Sequence, residues 1–439
     1  MIKRLGLQYM MKRIAERFCK LSDNRSKKNS KYEMKDAGMG AFSTFFTQCP
    51  SFLAHQEEMK RIKGLSNTES LFEIEKIPSD NQIRSMLDPV SPEEIMPQFR
   101  EIFIEMKESG ILESYRSIGK TLLIAMDGTE YYSSKKIHCE KCSHRTLKNG
   151  EINYFHGVLM PVIVQAGNEH VISLEPEFIV PQDGDEKQDC EIKAAKRWLE
   201  KYGDFYAKQG VTFLGDDLFS RQPFCQAVKD KKLHFILVCK PDSHEMLYKT
   251  VDFLSANGVL PTKQVRKWNG RYAEIYTYRY TNKLPLCGDE NAMEVNWCEI
   301  VITREDTGEL IYHNAFVTDF RVNDTNVEAI VRDGRAQWKV ENENNNVLKT
   351  KGYHLEHNFG HGAQYLSSFL LTLNLLAFLF HTIQDLVDVR YQMIRQALRK
   401  RQRFFQHMET LLFYFPFQNW DNLFDFMFNG LQLKMPAPS

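Results

Sequence analysis

A chain of 439 residues can bury a large core, and its length suggests two to four domains. With 43% hydrophobic and 26% charged residues it is neither a disordered chain, a collagen nor a coiled-coil rod. Its 57 Lys and Arg balance 57 Asp and Glu, so any nucleic-acid binding must rest on local patches.

Residues 1–118 read as a basic, mainly helical region. The start, MIKRLGLQYMMKRIAERF, lacks the unbroken apolar stretch and small-residue cleavage site of a secretory signal. From Met1 to Met39 there are eleven Lys and Arg against four Asp and Glu. Overlapping that stretch, DNRSKKNSKYEMKDAGMGAF (23–42) has few apolar residues and two glycines, and reads as a mobile basic arm or a solvated surface segment. Helical periodicity follows over 43–120, and Ser91-Pro92-Glu93-Glu94 has the pattern of an N-cap followed by proline and first-turn acids.

At 119–250 the pattern changes. TLLIAMDG (121–128), INYFHGVLMPVIVQ (152–165) and HVISLEPEFIV (170–180) are short apolar runs rich in branched residues, and read as three strands. An amphipathic helix, DCEIKAAKRWLEKYGDFYAKQG, precedes a strand VTFLGDD (211–217), a helix at about 221–231 and a strand FILVCK (235–240). Three strands and then alternating helix and strand predict an α/β fold, a mixed sheet covered by helices. Residues 251–319 read as a β-rich insertion, with alternating strands in RYAEIYTYRYT, EVNWCEIVITRED and ELIYHNAFVTDF.

The core resumes over 320–385. Thr325 and Glu328 have capping-box spacing at the start of a helix. LSSFLLTLNLLAFLF (366–380) is apolar, but at 15 residues it is shorter than the roughly 20 of a membrane span and is broken by polar side chains. It therefore reads as a buried core helix, not a membrane anchor. Residues 386–439 read as helical, since no Gly or Pro occurs between Ala363 and Phe415, and RYQMIRQALRKRQR (390–403) carries six basic residues and no acid.

Acids stand where a metal site needs them. Asp127 closes the run LLIAM, and Asp216, beside Asp217, closes VTFLG. If these strands are neighbours, two carboxylates converge on one sheet edge and repel unless a hard cation lies between them. Two divalent ions about 3.5–4 Å apart can activate a water and stabilise the leaving oxygen of a phosphodiester. A third acid is expected from DGRAQWKVENENNNVLK, where Glu341 and Glu343 are candidates and Glu356 is in reserve. Trp338, Glu341 and Asn345 fall on one face of a regular helix, which would set the carboxylate beside a Trp in a partly dry place.

A strand ending in DGT, a strand ending in LGDDLFS, a β insertion and then RAQWKVE resemble the DDE transposases of bacterial insertion sequences. More narrowly, the chain is similar to their insertion-sequence-four-like group. The resemblance spans about 121–380 and implies a ribonuclease H-like core interrupted by a β insertion, with helical regions at both ends. It implies Asp127, Asp216 and Glu341 as the catalytic, metal-holding triad, with two Mg²⁺ or Mn²⁺ ions as cofactors. It also implies cutting at the ends of a mobile element and transfer of the 3′-OH ends to target DNA. DNA, a homodimer on DNA, and a cytoplasmic, nucleoid-associated location are implied too; nine cysteines without a disulfide framework also fit a reducing cytoplasm.

The family's Tyr-Arg-Glu-Lys signature is altered. Gln337 stands where Arg is expected, Gly334 where Tyr is expected, and Leu348 where Lys is expected. Arg335 and Lys349 are the neighbouring substitutes. With Lys135, Lys136, Arg145 and Lys148 after the first acid, they are the expected DNA contacts, and Trp268 or Trp297 could stack on an extruded base. Two other classes remain open: a ribonuclease H-like nuclease without strand transfer, and a non-catalytic DNA-binding protein derived from a transposase.

KKIHCEKCSHR brings His138, Cys139, Cys142 and His144 within seven residues. Cys-x2-Cys is half of a zinc site, with His156 or a distant residue to complete it; the alternative is a basic loop with two reduced thiols. HLEHNFGHG adds His354, His357 and His361 as further candidate ligands.

Overall fold

The computed structural model describes residues 2–25, 31–181 and 190–435. Among these, the strands are β1 (Leu122–Ala125), β2 (Gly128–Ser134), β3 (Ser143–Thr146), β4 (Ile152–Leu159), β5 (Val162–Val164), β6 (Ile172–Ser173), β7 (Glu177–Ile179), β8 (Val211–Gly215), β9 (His234–Val238), β10 (Thr262–Trp268), β11 (Ala273–Pro285), β12 (Glu294–Arg304) and β13 (Leu310–Thr318).

Nine of them form one mixed sheet in the order β10-β11-β12-β13-β9-β8-β1-β5-β6. β1 and β8 are buried at every position and run parallel, as do β8 and β9. Continuous branched runs of this kind need cover on both faces, and flanking helices such as Glu191–Ala207 supply it. On the other side β1 pairs antiparallel with β5, and β5 with β6. The fold is therefore α/β with parallel and antiparallel strands in one sheet.

Three expectations change here. The run 152–165 is not one strand: it breaks at Met160-Pro161, leaving β4 in a second sheet with β2, β3 and β7 while β5 joins the main sheet. Proline cannot donate to a ladder, so a sheet change is the natural place for it. The run 170–180 divides likewise between β6 and β7. The stretch expected as a β insertion extends the core sheet, because β13 pairs antiparallel with β9 through Phe316↔Val238 and Val317↔Leu237.

The two helical ends pack as one lobe. The helix Met34–Phe46 is buried along almost its whole length against the helix Leu366–Val387, with the rings of Phe42 and Phe380 5.2 Å apart. Residues 31–46 are thus largely core, not a solvated arm; positions 26–30 of that segment lie outside the described residues. The glycines that suggested a loop are packing positions: a Cβ on Gly38 would fall 2.6 Å from the ring of Phe18. Leu366–Val387 has 22 residues and is apolar enough to cross a membrane, yet 89% of its most apolar window is buried in the protein. The C-terminal helices close on the N-terminal ones, with Trp420 Nε1 donating to the Leu71 carbonyl at 3.0 Å and Asn67 Nδ2 to the Leu412 carbonyl at 2.7 Å.

Candidate functional site

The parallel pairing of β1 and β8 puts Ala125 beside Leu214, and continuing that register by two residues sets Asp127 opposite Asp216. The Met126 amide still donates to the Leu214 carbonyl at 3.2 Å, so the ladder holds to the last residue before the acid. Burial first, then the charges of Glu191, Asp216 and Glu341, push the Asp127 carboxyl up from 3.8 to about 7. Asp216 is also raised, chiefly by burial and opposed by the Leu218 amide that bonds its Oδ1 at 2.9 Å. Asp217, beside it in sequence, points elsewhere: it accepts from the Lys240 amide at 2.7 Å and from Ser243.

Glu191 is an acid that the sequence pattern does not mark. It lies in the first turn of the helix Glu191–Ala207, with its carboxyl raised by burial and by Asp216 and steadied by the Gly128 amide. Its side chain fills the space where a Cβ on Gly128 would sit, so the DGT motif has glycine because a carboxylate crosses over it. An acid in the first turn reads locally as a helix-dipole partner; only the pairing of β1 with β8 shows that the turn overhangs the acid edge.

The third acid arrives on irregular backbone. Val340–Asn345 is a π-helical turn, which shifts the face that regular helical spacing assigns. Asn345 turns inward and its Nδ2 donates to Asp127 Oδ2 at 2.9 Å, whereas Trp338 is 46% exposed. Glu341 is exposed, and its charge reaches Asp127 without a dry Trp beside it. Glu343 is partly buried on the same turn. Glu356 is exposed and ion-paired with Lys349 at 2.9 Å, so neither joins the groups that perturb Asp127. The helix before the turn, Val327–Arg335, follows Asn326, whose side chain makes no cap bond, and the expected Thr325 box does not form: the Thr325 hydroxyl bonds Asn323 instead.

The basic candidates divide. Lys135 pairs with Glu151 and Arg145 with Glu130, while Lys136 and Lys148 are exposed on the same hairpin. Arg335 stacks on Tyr312 at 4.3 Å and lines a cavity of about 670 Å³ with Lys267, Arg332, Trp338 and Lys339. The expected basic helix 390–403 is two helices broken at Arg399, and of its six cations Arg390 and Arg401 are engaged within the protein: Arg390 pairs with Asp388, Asp421 and Asp425, and Arg401 lies over Tyr353. Trp297 is 1% exposed and is core; Trp268 is 65% exposed at the end of β10.

A second cluster forms where β2, β3 and β4 meet the segment before Leu366. Cys139, Cys142, His156 and His361 bring one ligand atom each to within 4.8 Å of the others. Of the histidines flanking the thiols, His138 stacks on Tyr154 at 4.2 Å and His144 tilts against the same ring. His354 and His357 are not members of the group. No protein-family model and no curated protein matches this chain.

Proposed function

We propose that this chain is a DNA transposase of the DDE type, which cuts DNA at the ends of a mobile element and joins the freed 3′-OH ends to target DNA. The observation that carries the reading is the acid edge. Adjacent parallel strands end in Asp127 and Asp216, and burial, with the added charges of Glu191, Asp216 and Glu341, lifts Asp127 to about 7. The strand order supports a ribonuclease H-like core: β1, β5 and β6 run antiparallel in sequence, and β8 and β9 follow in parallel, so the acids end the first and fourth strands.

A divalent cation would offset the charge of acids set this close, and an all-oxygen donor set suits Mg²⁺ or Mn²⁺ better than a softer metal. Asp127, Asp216 and Glu341 would hold such ions, with Glu191 as a fourth oxygen donor. Two bound ions would supply Lewis-acid activation of the attacking oxygen and neutralisation of the leaving one. Asn345 orients the Asp127 carboxylate by donating to one of its oxygens. Lys267, Arg332, Arg335 and Lys339, with Glu169 and Glu328, line a groove that begins one residue before the turn bearing Glu341, a path for the phosphate backbone on which Arg335 and Lys339 are the candidate contacts. Pairing two DNA ends calls for two copies of the chain.

The test is Mg²⁺-dependent cleavage of the DNA flanking the gene by wild type, Asp127→Ala, Asp216→Ala and Glu341→Ala. Each substitution should lower cleavage by about 10³-fold or more, several kcal/mol of transition-state stabilisation. Loss with the two Asp variants alone moves the third acid to Glu191 or Glu343. Cutting without joining of a supplied 3′-OH end identifies a nuclease. Folded wild-type protein that binds DNA tightly and never cuts it overturns the enzyme.

A further inference from the structure

The Cys/His group is built to a single-ion geometry. A tetrahedral zinc with Zn–S bonds of about 2.3 Å and Zn–N bonds of about 2.05 Å separates its ligand atoms by about 3.8 Å for S–S, 3.6 Å for S–N and 3.3 Å for N–N. Here Cys139 Sγ and Cys142 Sγ are 3.9 Å apart, and His156 Nε2 is 3.6 and 3.5 Å from them. His361 Nε2 is 3.3 Å from Cys142 Sγ and 3.1 Å from His156 Nε2. These five edges are close to those of a tetrahedron around one ion, the sixth, Cys139 Sγ to His361 Nε2, lies within 4.8 Å, and two sulfurs 3.9 Å apart are not a disulfide.

The surroundings suit a metal as well. His361 Nδ1 lies 3.0 Å from the Gly362 carbonyl, the bond that orients an imidazole to present Nε2. The Cys142 amide donates to the Cys139 carbonyl at 3.1 Å, and the Cys139 amide to Cys142 Sγ at 3.5 Å, folding the Cys-x2-Cys stretch into a tight turn. Cys142, His156 and His361 are buried, and four protein ligands close the shell against a reacting water. Two thiolates cancel the charge of a divalent ion, so the filled site is neutral and can be buried. The soft sulfur pair with two imidazoles selects zinc over Mg²⁺.

We propose that Cys139, Cys142, His156 and His361 bind one zinc ion as a structural clasp between the hairpin that follows Asp127 and the segment that follows Glu341. Binding takes Zn²⁺ and two thiols, forms two Zn–S and two Zn–N bonds, and releases two protons to solvent. The clasp closes a long loop: Cys142 and His361 are 219 residues apart. Cys139 and Cys142 lie on the connection from β2, which starts directly after Asp127, to β3. His361 lies between the Glu341 turn and the helix Leu366–Val387. Other contacts share the load, since Asp88 accepts from the amides of Ala363, Gln364 and Leu366, and Lys141 Nζ sits over the Tyr365 ring. The inference does not depend on the transposase reading, because metal content is measured without activity.

The test is metal analysis of the full chain after exposure to zinc and dialysis, with cobalt titration of the chelated protein as a second readout. About one zinc per chain, and the visible bands of tetrahedral thiolate-bound cobalt, are expected. Cys142→Ser and His361→Ala should lose the metal, while His138→Ala and His144→Ala keep it. If the ligand variants fail to fold, cobalt bands in wild type decide the matter. Folded wild type that takes up neither ion overturns the proposal. So does a Cys139–Cys142 disulfide in that protein, or metal loss on changing His138 or His144.

Discussion

The acid edge and the Cys/His clasp flank the same hairpin and are built on opposite principles. At the edge, strand registry sets Asp127 opposite Asp216 with Glu191 and Glu341 nearby, and burial, followed by the charges of those three acids, raises Asp127 to about 7. At the clasp, four atoms lie within 4.8 Å of one another, mostly buried, on segments far apart in sequence. The edge gathers hard oxygen donors at an open strand end; the clasp gathers two sulfurs and two imidazoles in a mostly buried pocket. Strain against charge suits chemistry on a passing substrate, and closure suits structure.

The sharpest way to break this contrast is to remove the repulsion. A carboxyl whose folded value is raised destabilises the folded state as pH climbs from its unfolded value of 3.8 to about 7, and the full cost is present above that. Asp127→Asn should therefore stabilise the chelated protein at pH 8, by on the order of 2 kcal/mol, and change little at pH 4. Thermal unfolding at the two pH values reads it. Mg²⁺ at pH 8 should stabilise wild type more than the variant, although the variant no longer cuts. A gain of equal size at both pH values would mean that packing, not charge, governs the edge.

Legibility in the sequence divides along the same line. Asp127, Asp216 and the helices Glu191–Ala207 and Gln222–Asp230 can be read because strand ends and helical periodicity are local signals. The clasp can be read only in half, since Cys-x2-Cys is local but His361 reaches it through tertiary folding. Glu191 escapes for the same reason. The face assigned to Trp338 and Glu341 fails at a π-helical turn, where the wider winding rotates the residues after it and brings Asn345, not a Trp, to the acids. Met34–Phe46 misleads because its glycines serve close helix packing at Phe18 and Ile83, which looks in sequence like a flexible joint.

Gly128→Ala sharpens the role of Glu191. The new methyl group meets the Glu191 side chain, which is flexible enough to swing away, so the fold should lose no more than about 1 kcal/mol. The edge then lacks its fourth oxygen donor, and cleavage should fall about tenfold, with the loss shrinking as Mg²⁺ is raised. Zinc content should stay as in wild type. A Gly128→Ala protein with unaltered metal dependence would remove Glu191 from the site.

The smallest effect belongs to the hairpin that joins the two clusters. Lys148 is exposed at its tip, whereas Lys135 is paired with Glu151 and Arg145 with Glu130. Replacing an exposed cation that touches a phosphate leaves stability within about 0.5 kcal/mol and removes one counterion-release event. Lys148→Ala should therefore lower the slope of log affinity against log salt by about 0.9. Lys135→Ala should lower it less, because Glu151 already neutralises that charge. Equal slopes for wild type and Lys148→Ala would mean that the hairpin stands clear of DNA and serves only to carry the clasp.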